Sequence, residues 1–219
     1  MAEFSHLLPT QFVLYADDGY DSHVIRLLLE EKQLSYELAF IESERPEELA
    51  ELNPYSTLPI LVGRDITLYE LNTIFEYLEE RHGAGKLLPT TPKERAVVRQ
   101  LAWRLQNDWL KLAHTLLTHP DSFDATSAAH AKKTLSDSLI TLSPLFTKHE
   151  YFLSDEFGWC DVLIAPLLYR LPQMGIDLPP ALCRPLIDYK ERLLNRSSFK
   201  NSLKTLPNYL NKEFWKDVK

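Results

Sequence analysis

The sequence predicts two domains of different class, a small α/β domain followed by an all-helical domain. In the first 80 residues, short apolar runs typical of buried strands alternate with segments of helical periodicity. After Pro89 no strand pattern returns, and Gly83-Ala84-Gly85 marks the change of composition between the two regions. The predicted boundaries are an N-terminal tail (1–11), an α/β domain (12–82), an interdomain linker (83–91) and a helical domain (92–219).

The element order of the α/β domain follows from periodicity and turn residues. Its first four elements are a strand at Phe12–Tyr15, a helix from its N-cap Ser22 to Lys32, a strand at Tyr36–Phe40 and a short helix from Pro46 to Leu52. A turn at 63–65 then joins two apolar runs, which predicts an antiparallel hairpin of 59–62 with 66–68. A helix from Glu70 to Arg81 completes the order βαβαββα.

A long helix opens the helical domain. Thr91-Pro92-Lys93-Glu94 is a strong start signal, and we expect the helix to run to about His119. One apolar stripe comprises Val98, Ala102, Leu105, Trp109, Leu112 and Leu116. A second stripe, with a spacing of seven, makes Ala96, Trp103 and Leu110 candidates for a dimer interface. A central core helix without a partner subunit fits the pattern equally. Further helices are predicted at about 124–146, 159–171, 182–194 and 198–205.

Composition limits the classes of function. The net charge of −7 without a Lys/Arg stripe argues against direct binding to nucleic acid and favours a protein partner with a basic surface. The two cysteines, Cys160 and Cys183, fit a reducing cytoplasm, and no Cys or His spacing predicts a metal site or other cofactor. No apolar run approaches the roughly 18 residues of a membrane helix, and no secretory signal is present. We therefore expect a cytoplasmic protein.

A resemblance that covers essentially the whole chain rests on four segments: SHVIRLLLEEK, LNPYSTLPILV, LYELNTIFEYLEER and FLSDEFGWCDVLIAPLLYRL. Together they resemble the glutathione transferase-like fold, in which a thioredoxin-like N-terminal domain precedes an all-α C-terminal domain. Within that superfamily, the stretch Tyr151–Gln173 resembles the stringent starvation protein A family. This resemblance implies association with RNA polymerase and a homodimer formed largely through the long helix.

The position of the reactive residue is vacant. In the superfamily it lies three positions before the helix-starting Ser or Ala, and here Gly19 occupies it. Catalysis needs a hydroxyl that stabilises a thiolate or a Cys that forms a mixed disulfide. We interpret the nearby Ser22 as the helix N-cap, and Tyr15 and Tyr20 as packing residues. The resemblance therefore implies no catalytic residue, with enzymatic use of one of these hydroxyls as the alternative.

The resemblance also implies a vestigial glutathione site at Leu58, Pro59 and Glu70. Leu58-Pro59 lies where the superfamily has a cis-proline, which would turn the Leu58 backbone toward an extended peptide-like ligand. Transferases then usually carry Glu-Ser, whose hydroxyl and backbone N–H groups hold the γ-glutamyl carboxylate. Here the pair is Glu70-Leu71, so the hydroxyl donor is absent. We expect tight glutathione binding to be lost.

A candidate partner-contact segment follows the third helix. The stringent starvation family carries a Pro-His-Pro stretch there, part of a surface pocket implicated in polymerase contact. The candidate residues in this chain are His82, Gly83, Ala84, Gly85, Leu88 and Pro89. Because Gly-Ala-Gly replaces a Pro-rich stretch, we expect a flexible segment. An ordinary interdomain linker is the alternative interpretation.

The resulting hypothesis is a non-catalytic adaptor that associates with the RNA polymerase holoenzyme and modulates transcription under stress. It would act as a homodimer, or as a heteromer with another regulator, without direct contact to nucleic acid or membrane. The alternatives are a glutathione-dependent transferase or reductase that uses Ser22 or a nearby Tyr, and a glutathione-binding module without chemistry.

Overall fold

The chain folds into two units. The structure, a computed structural model, describes residues 8–42, 47, 49–118 and 125–204. Unit 1 combines the residues up to Lys86 with those from Ser197 onward, and unit 2 spans Leu87–Arg196. The described helices are α1 (Tyr20–Glu31), α2 (Leu49–Leu52), α3 (Leu71–Arg81), α4 (Pro92–Leu105), α5 (Lys111–Thr118), α6 (Ala125–Leu142), α7 (Trp159–Tyr169), α8 (Pro180–Leu194) and α9 (Ser197–Lys204). The predicted fold class is confirmed.

A four-stranded sheet forms the centre of unit 1. Its strands are β1 (Gln11–Ala16), β2 (Ser35–Phe40), β3 (Ile60–Val62) and β4 (Thr67–Tyr69), in the order β2-β1-β3-β4. β1 pairs with β2 in parallel, whereas β3 pairs with β1 and with β4 antiparallel, as the hairpin prediction requires. The register places Leu14 opposite both Leu38 and Leu61. Leu14 is fully buried, so β1 lies in the core, as its continuous apolar run predicts.

The helix α9 belongs to unit 1, which corrects its sequence-based assignment to the helical domain. It packs against α1, and the Ser198 hydroxyl donates a hydrogen bond to the Glu31 carboxylate. Ser202 Oγ lies 3.0 Å from His23 Nε2, and the Phe199 ring packs 5.1 Å from the His23 ring. Ser198 and Glu31 are 167 positions apart in the sequence, so no local pattern could indicate this contact.

The long helix starts as predicted but is interrupted at its centre. Thr91 Oγ1 accepts a hydrogen bond from the Glu94 N–H at 3.3 Å and donates one to the Glu94 carboxylate at 2.7 Å. After α4, Gln106–Leu110 form one π-helical turn, in which the Lys111 N–H bonds to the carbonyl five residues earlier. This turn changes the phase of the helix, so the spacing of seven does not continue on one face. Trp103 is 63% exposed, whereas Leu110 is only 5% exposed.

Leu110 therefore packs inside its own unit, and the structure corrects its assignment to a dimer interface. Several other boundary predictions lie outside the described residues: the tail up to residue 7, the helix start at Pro46, the helix end at His119, the helix start at Asp124 and the helix end at Thr205.

Unit 2 is organised around α7, whose side chains from Trp159 to Leu168 are all buried. The buried carboxylate of Asp161 accepts hydrogen bonds from the Gly158 N–H at 2.8 Å, the Phe152 N–H at 2.9 Å and the Tyr189 hydroxyl at 2.6 Å. It thereby joins the start of α7 to the preceding loop and to α8. Burial raises the pKa of Asp161 to about 6, although these hydrogen bonds and the Arg196 charge act to lower it.

Replacing Asp161 with Asn should remove a pH dependence of stability. The carboxyl of an unfolded chain has a pKa of about 3.9, so between about pH 4 and pH 6 the folded state holds the proton more tightly. The contribution of Asp161 to the free energy of unfolding therefore decreases as the pH rises, by about 3 kcal/mol for a shift of about 2 units. Urea unfolding of the wild-type protein and of Asp161→Asn across this range measures the difference.

The exposed Asp137 provides the matched control, because Asp137→Asn should leave the wild-type slope unchanged. Parallel stability profiles for the wild-type protein and Asp161→Asn would contradict the prediction.

Candidate functional site

The loop between β1 and α1 carries the position of the missing nucleophile. Gly19 is the N-cap of α1 and Tyr20 is its first residue, so Ser22 is the third residue of the helix and lies in its first turn. The structure therefore corrects the interpretation of Ser22 as the N-cap. A Cβ atom on residue 19 would come within 2.8 Å of Asp17 Oδ1. A reactive side chain at this position would require Asp17 to move.

Asp17 closes this loop by hydrogen bonds in both directions. Ser22 Oγ donates to Asp17 Oδ1 at 2.6 Å and accepts from the Asp17 N–H at 3.1 Å. The Gly19 N–H donates to the same carboxylate oxygen at 2.9 Å. Ser22 is fully buried, so its single proton and an acceptor site are both engaged inside the loop. Stabilisation of a thiolate by this hydroxyl would require these bonds to break.

The buried Arg26 supports the same loop from α1. Its NH1 donates to the Asp17 carbonyl at 2.7 Å, and its Nε donates to the Ser202 carbonyl at 3.2 Å. A fully buried guanidinium is rare, and here it connects the loop to α9. The two tyrosines lie as packing residues: Tyr20 is buried, and Tyr15 packs partly buried against the cluster of Leu49, Ile60 and Val62.

The vestigial glutathione residues lie at the starts of β3 and α3. The Leu58–Pro59 peptide bond is cis. Glu70 is the N-cap of α3, with Oε1 accepting from the Asn72 N–H at 2.9 Å and Oε2 accepting from the Thr73 N–H at 2.8 Å. These are N–H groups that an incoming carboxylate would need at a helix N-terminus. Glu70 thus supplies its own carboxylate to them.

The candidate partner-contact segment is held in place by a buried lysine, contrary to the flexibility expected from Gly-Ala-Gly. Lys32 Nζ forms a 2.7 Å ion pair with Glu79 and longer contacts of 3.3–3.4 Å with the carbonyl oxygens of His82, Ala84 and Gly85. Gly85 has a φ of +56°, and a Cβ there would overlap the Glu31 carbonyl. Residues 82–85 of the segment therefore have a defined conformation in unit 1.

The six candidate contact residues are not equally accessible. The His82 ring packs edge-on against Phe12 at 5.7 Å, and burial, with the nearby Arg81 and Lys32 charges, lowers the pKa of its imidazole. Leu88 is buried in unit 2, and Pro89 is half-buried. Gly83, Ala84 and Gly85 are exposed. The structure thus leaves the glycine–alanine turn as the accessible part and corrects the inclusion of Leu88.

Both cysteines are buried free thiols, in surroundings that disfavour the reactive thiolate. Burial, and secondarily the Asp161 charge, raises the pKa of Cys160 to about 12, and burial also raises the pKa of Cys183. Within the described ranges, no group of three His, Cys, Asp or Glu side chains is placed to hold a metal ion. None of the helices described is long and apolar enough to cross a membrane.

Sequence reasoning missed three residues that build this site: Asp17, Arg26 and Lys32. Asp17 was detectable, since Asp followed by a helix start often accepts local backbone hydrogen bonds. Arg26 and Lys32 carry no comparable signal, because charged residues in an amphipathic helix are normally exposed. Only their tertiary contacts reveal their roles.

Comparison with known proteins identifies the same two domains and the same fold. Residues 22–81 match the family model of the glutathione S-transferase N-terminal domain, and residues 105–197 match that of the C-terminal domain. The chain is 37% identical to a stringent starvation protein A homolog of Coxiella burnetii, over 83% of this chain and 86% of that protein. It is 27% identical to maleylacetoacetate isomerase of Rattus norvegicus, over 71% and 76%. The solved poplar glutathione transferase F1 has the same fold, with a TM-score of 0.76, 19% identity, and coverage of 89% of this chain and 97% of that one.

The engaged state of Ser22 predicts that its hydroxyl supports no glutathione chemistry. We expect turnover of a generic electrophile with glutathione to stay at the uncatalysed rate in both the wild-type protein and Ser22→Ala. The substitution should instead lower the free energy of unfolding by about 1 kcal/mol, because it removes the two hydrogen bonds between the buried Ser22 hydroxyl and the half-buried Asp17. A spectrophotometric conjugation assay and urea unfolding measure the two effects.

Ser35→Ala, at an exposed serine of the same unit, is the control and should change neither quantity. Robust turnover that disappears in Ser22→Ala would show that the hydroxyl is catalytic after all.

Proposed function

The chain belongs to the stringent starvation protein A family of the glutathione transferase-like fold, and from this premise we propose that it is a non-catalytic adaptor that associates with RNA polymerase and modulates transcription under stress. One observation carries the proposal: the loop that would hold a nucleophile has Gly19 at the reactive position and a Ser22 hydroxyl engaged with Asp17. A scaffold without a reacting group acts through its surfaces.

The glutathione anchor supports the same proposal. The Glu70 carboxylate occupies N–H groups at the start of α3, and Leu71 stands where a hydroxyl would complete the ligand site. The similarity to maleylacetoacetate isomerase favours the alternative, a glutathione-dependent enzyme or glutathione-binding protein. The conjugation assay on Ser22→Ala distinguishes the enzyme from the adaptor.

Charge supports a partner with a basic surface. Residues 1–86 contain 17 Asp and Glu but only 6 Lys and Arg, and residues 197–219 of the same unit add 2 Asp and Glu and 5 Lys, so unit 1 has a net charge of −8. Two of these six cations, Arg26 and Lys32, are buried, so they do little to offset the acidic surface. Such a surface attracts a basic patch of the polymerase holoenzyme and disfavours direct contact with nucleic-acid phosphates.

The accessible turn of the partner-contact segment lies on this acidic unit. Gly83, Ala84 and Gly85 are exposed, and Lys32 fixes their backbone from inside. A preformed loop loses little conformational entropy on binding. We assign the turn to the contact with polymerase.

A dimer is the second part of the proposal. Three apolar side chains of α4 are exposed: Ala96, Val97 and Trp103. Trp103 is 63% exposed, and an exposed tryptophan is a typical interface anchor. A two-fold dimer through this helix would present two acidic units, and a related regulator in place of one copy would give a heteromer. The adaptor would then bridge two basic surfaces in the transcription complex.

Affinity purification of the tagged protein from the cytoplasm of its native host should recover RNA polymerase subunits at low salt. Recovery should fall sharply near 1 M salt, where the Debye length is about 3 Å. Ala84→Arg adds a positive charge to the proposed contact and should reduce binding to purified polymerase at least several-fold. Immobilised-protein binding assays measure the affinity.

Ala181→Arg is the matched control, since Ala181 is exposed on α8 of the other unit. Loss of binding in both variants would point to net charge alone, and no polymerase at low salt would refute the association.

Trp103→Arg should convert the dimer to a monomer, because it removes the aromatic anchor and places like charges across a two-fold axis. The dissociation constant of the dimer should rise about a hundred-fold, a typical effect of losing an interface anchor. Sedimentation equilibrium over a range of concentrations measures it. Leu182→Arg, at an exposed leucine of α8, is the control. A wild-type protein that stays monomeric at high concentration would contradict this part of the proposal.

A further inference from the structure

Unit 2 contains a cavity of about 120 Å³ that is separate from the candidate sites described above, and we name it the bulge pocket. Its apolar walls are Leu101 and Leu105 of α4, Trp109 of the π-turn, Leu142 at the end of α6, Leu145 in the 3₁₀ turn after it, and Phe152 and Leu153 of the following loop. Cavities of similar size lined by aliphatic and aromatic side chains hold one benzene ring. The bulge pocket therefore has room for one ring or one branched aliphatic group.

Two unusual backbone features converge on this cavity. The π-turn at Gln106–Leu110 supplies Trp109 and Asp108 to its lining, and Leu105 directly precedes it. Across the cavity, Leu153 has a φ of +53° and is 42% exposed. A bulky residue is a genuine outlier in the left-handed region, and isolated π-turns are frequent at functional sites. Leu153 lies in a tight turn that the Tyr151 N–H closes by donating to the Ser154 carbonyl at 2.9 Å, and a glycine there would adopt the positive φ at a lower cost.

The mouth of the pocket carries one charge of each sign. Arg104 Nε lies 3.9 Å from Asp108 Oδ2, at the limit of an ion pair, and both side chains are more than half exposed. At this separation each group retains hydrogen-bonding capacity for a ligand. A guanidinium binds a carboxylate in bidentate geometry, and a carboxylate accepts hydrogen bonds from an ammonium group.

We propose that the bulge pocket binds a free α-amino acid with an apolar side chain of the size of leucine or phenylalanine. The side chain enters the apolar cavity, the α-carboxylate contacts Arg104, and the α-ammonium contacts Asp108. The ligand thus replaces the weak ion pair at the mouth with two pairs of its own. The bulge pocket lies in unit 2, whereas the proposed polymerase contact lies at residues 83–85 of unit 1. Amino-acid binding therefore does not depend on the polymerase proposal.

Calorimetric titration of the full-length protein with L-leucine and L-phenylalanine tests the proposal. At least one of them should bind saturably, and the methyl resonances of Leu101, Leu105 and Leu142 should shift on binding. Glycine, which lacks the apolar group, and N-acetyl-leucine amide, which lacks both charges, should each bind at least about ten-fold more weakly. Shifts confined to other methyl groups, equal binding of either analogue, or no binding would overturn the proposal.

Two variants test the assignment of residues. Leu153→Gly should weaken leucine binding about ten-fold without lowering the unfolding midpoint, because glycine tolerates the positive φ. Arg104→Gln changes an exposed side chain and should weaken binding to a similar extent without affecting the fold. The matched control is Arg184→Gln, since Arg184 forms an equivalent exposed pair with Asp188 on α8. Unchanged affinity in both Leu153→Gly and Arg104→Gln would overturn the site.

Discussion

Unit 1 depends on the burial of two cations in its interior. Arg26 joins the Asp17 carbonyl of the β1–α1 loop to the Ser202 carbonyl of α9, and Lys32 joins Glu79 of α3 to the carbonyls of the segment after it. Removing a charge from water is costly unless hydrogen bonds replace its hydration. Each cation therefore fixes the backbone groups that solvate it. Except for the Ser202 carbonyl of α9, those groups lie in loops.

The two fixed loops are the two places where function is expected on this scaffold. The first is the β1–α1 loop around Gly19, in which the Ser22 hydroxyl and the Arg26 guanidinium both donate hydrogen bonds to Asp17. The second is the turn at Gly83–Gly85, which Lys32 holds in a defined conformation at the surface. In both places a buried cation thus fixes a loop: the one around Gly19 and the exposed turn at 83–85. This combination fits a protein that works by docking.

Unit 2 uses a different device, a change of helical phase. The π-turn rotates the second half of the long helix, so Leu110 enters the core while Trp103 stays exposed on α4. Trp109 and Asp108 of the same turn line the bulge pocket. Elsewhere in the unit, Asp161 joins the start of α7 to the preceding loop and to α8 through three hydrogen bonds.

The sequence by itself determined the order of helices and strands, the hairpin and the vacancy at Gly19. These depend on local periodicity, on turn residues and on the identity of a single residue, all of which can be read along the chain. The tertiary structure decided the role of Ser22, the unit to which α9 belongs, the inward position of His82 and the burial of Leu110. Those outcomes depend on contacts such as Arg26 with Ser202, 176 positions apart, and on a π-turn that depends on packing. The free energy of such contacts comes from desolvation in the folded core, which no local pattern records.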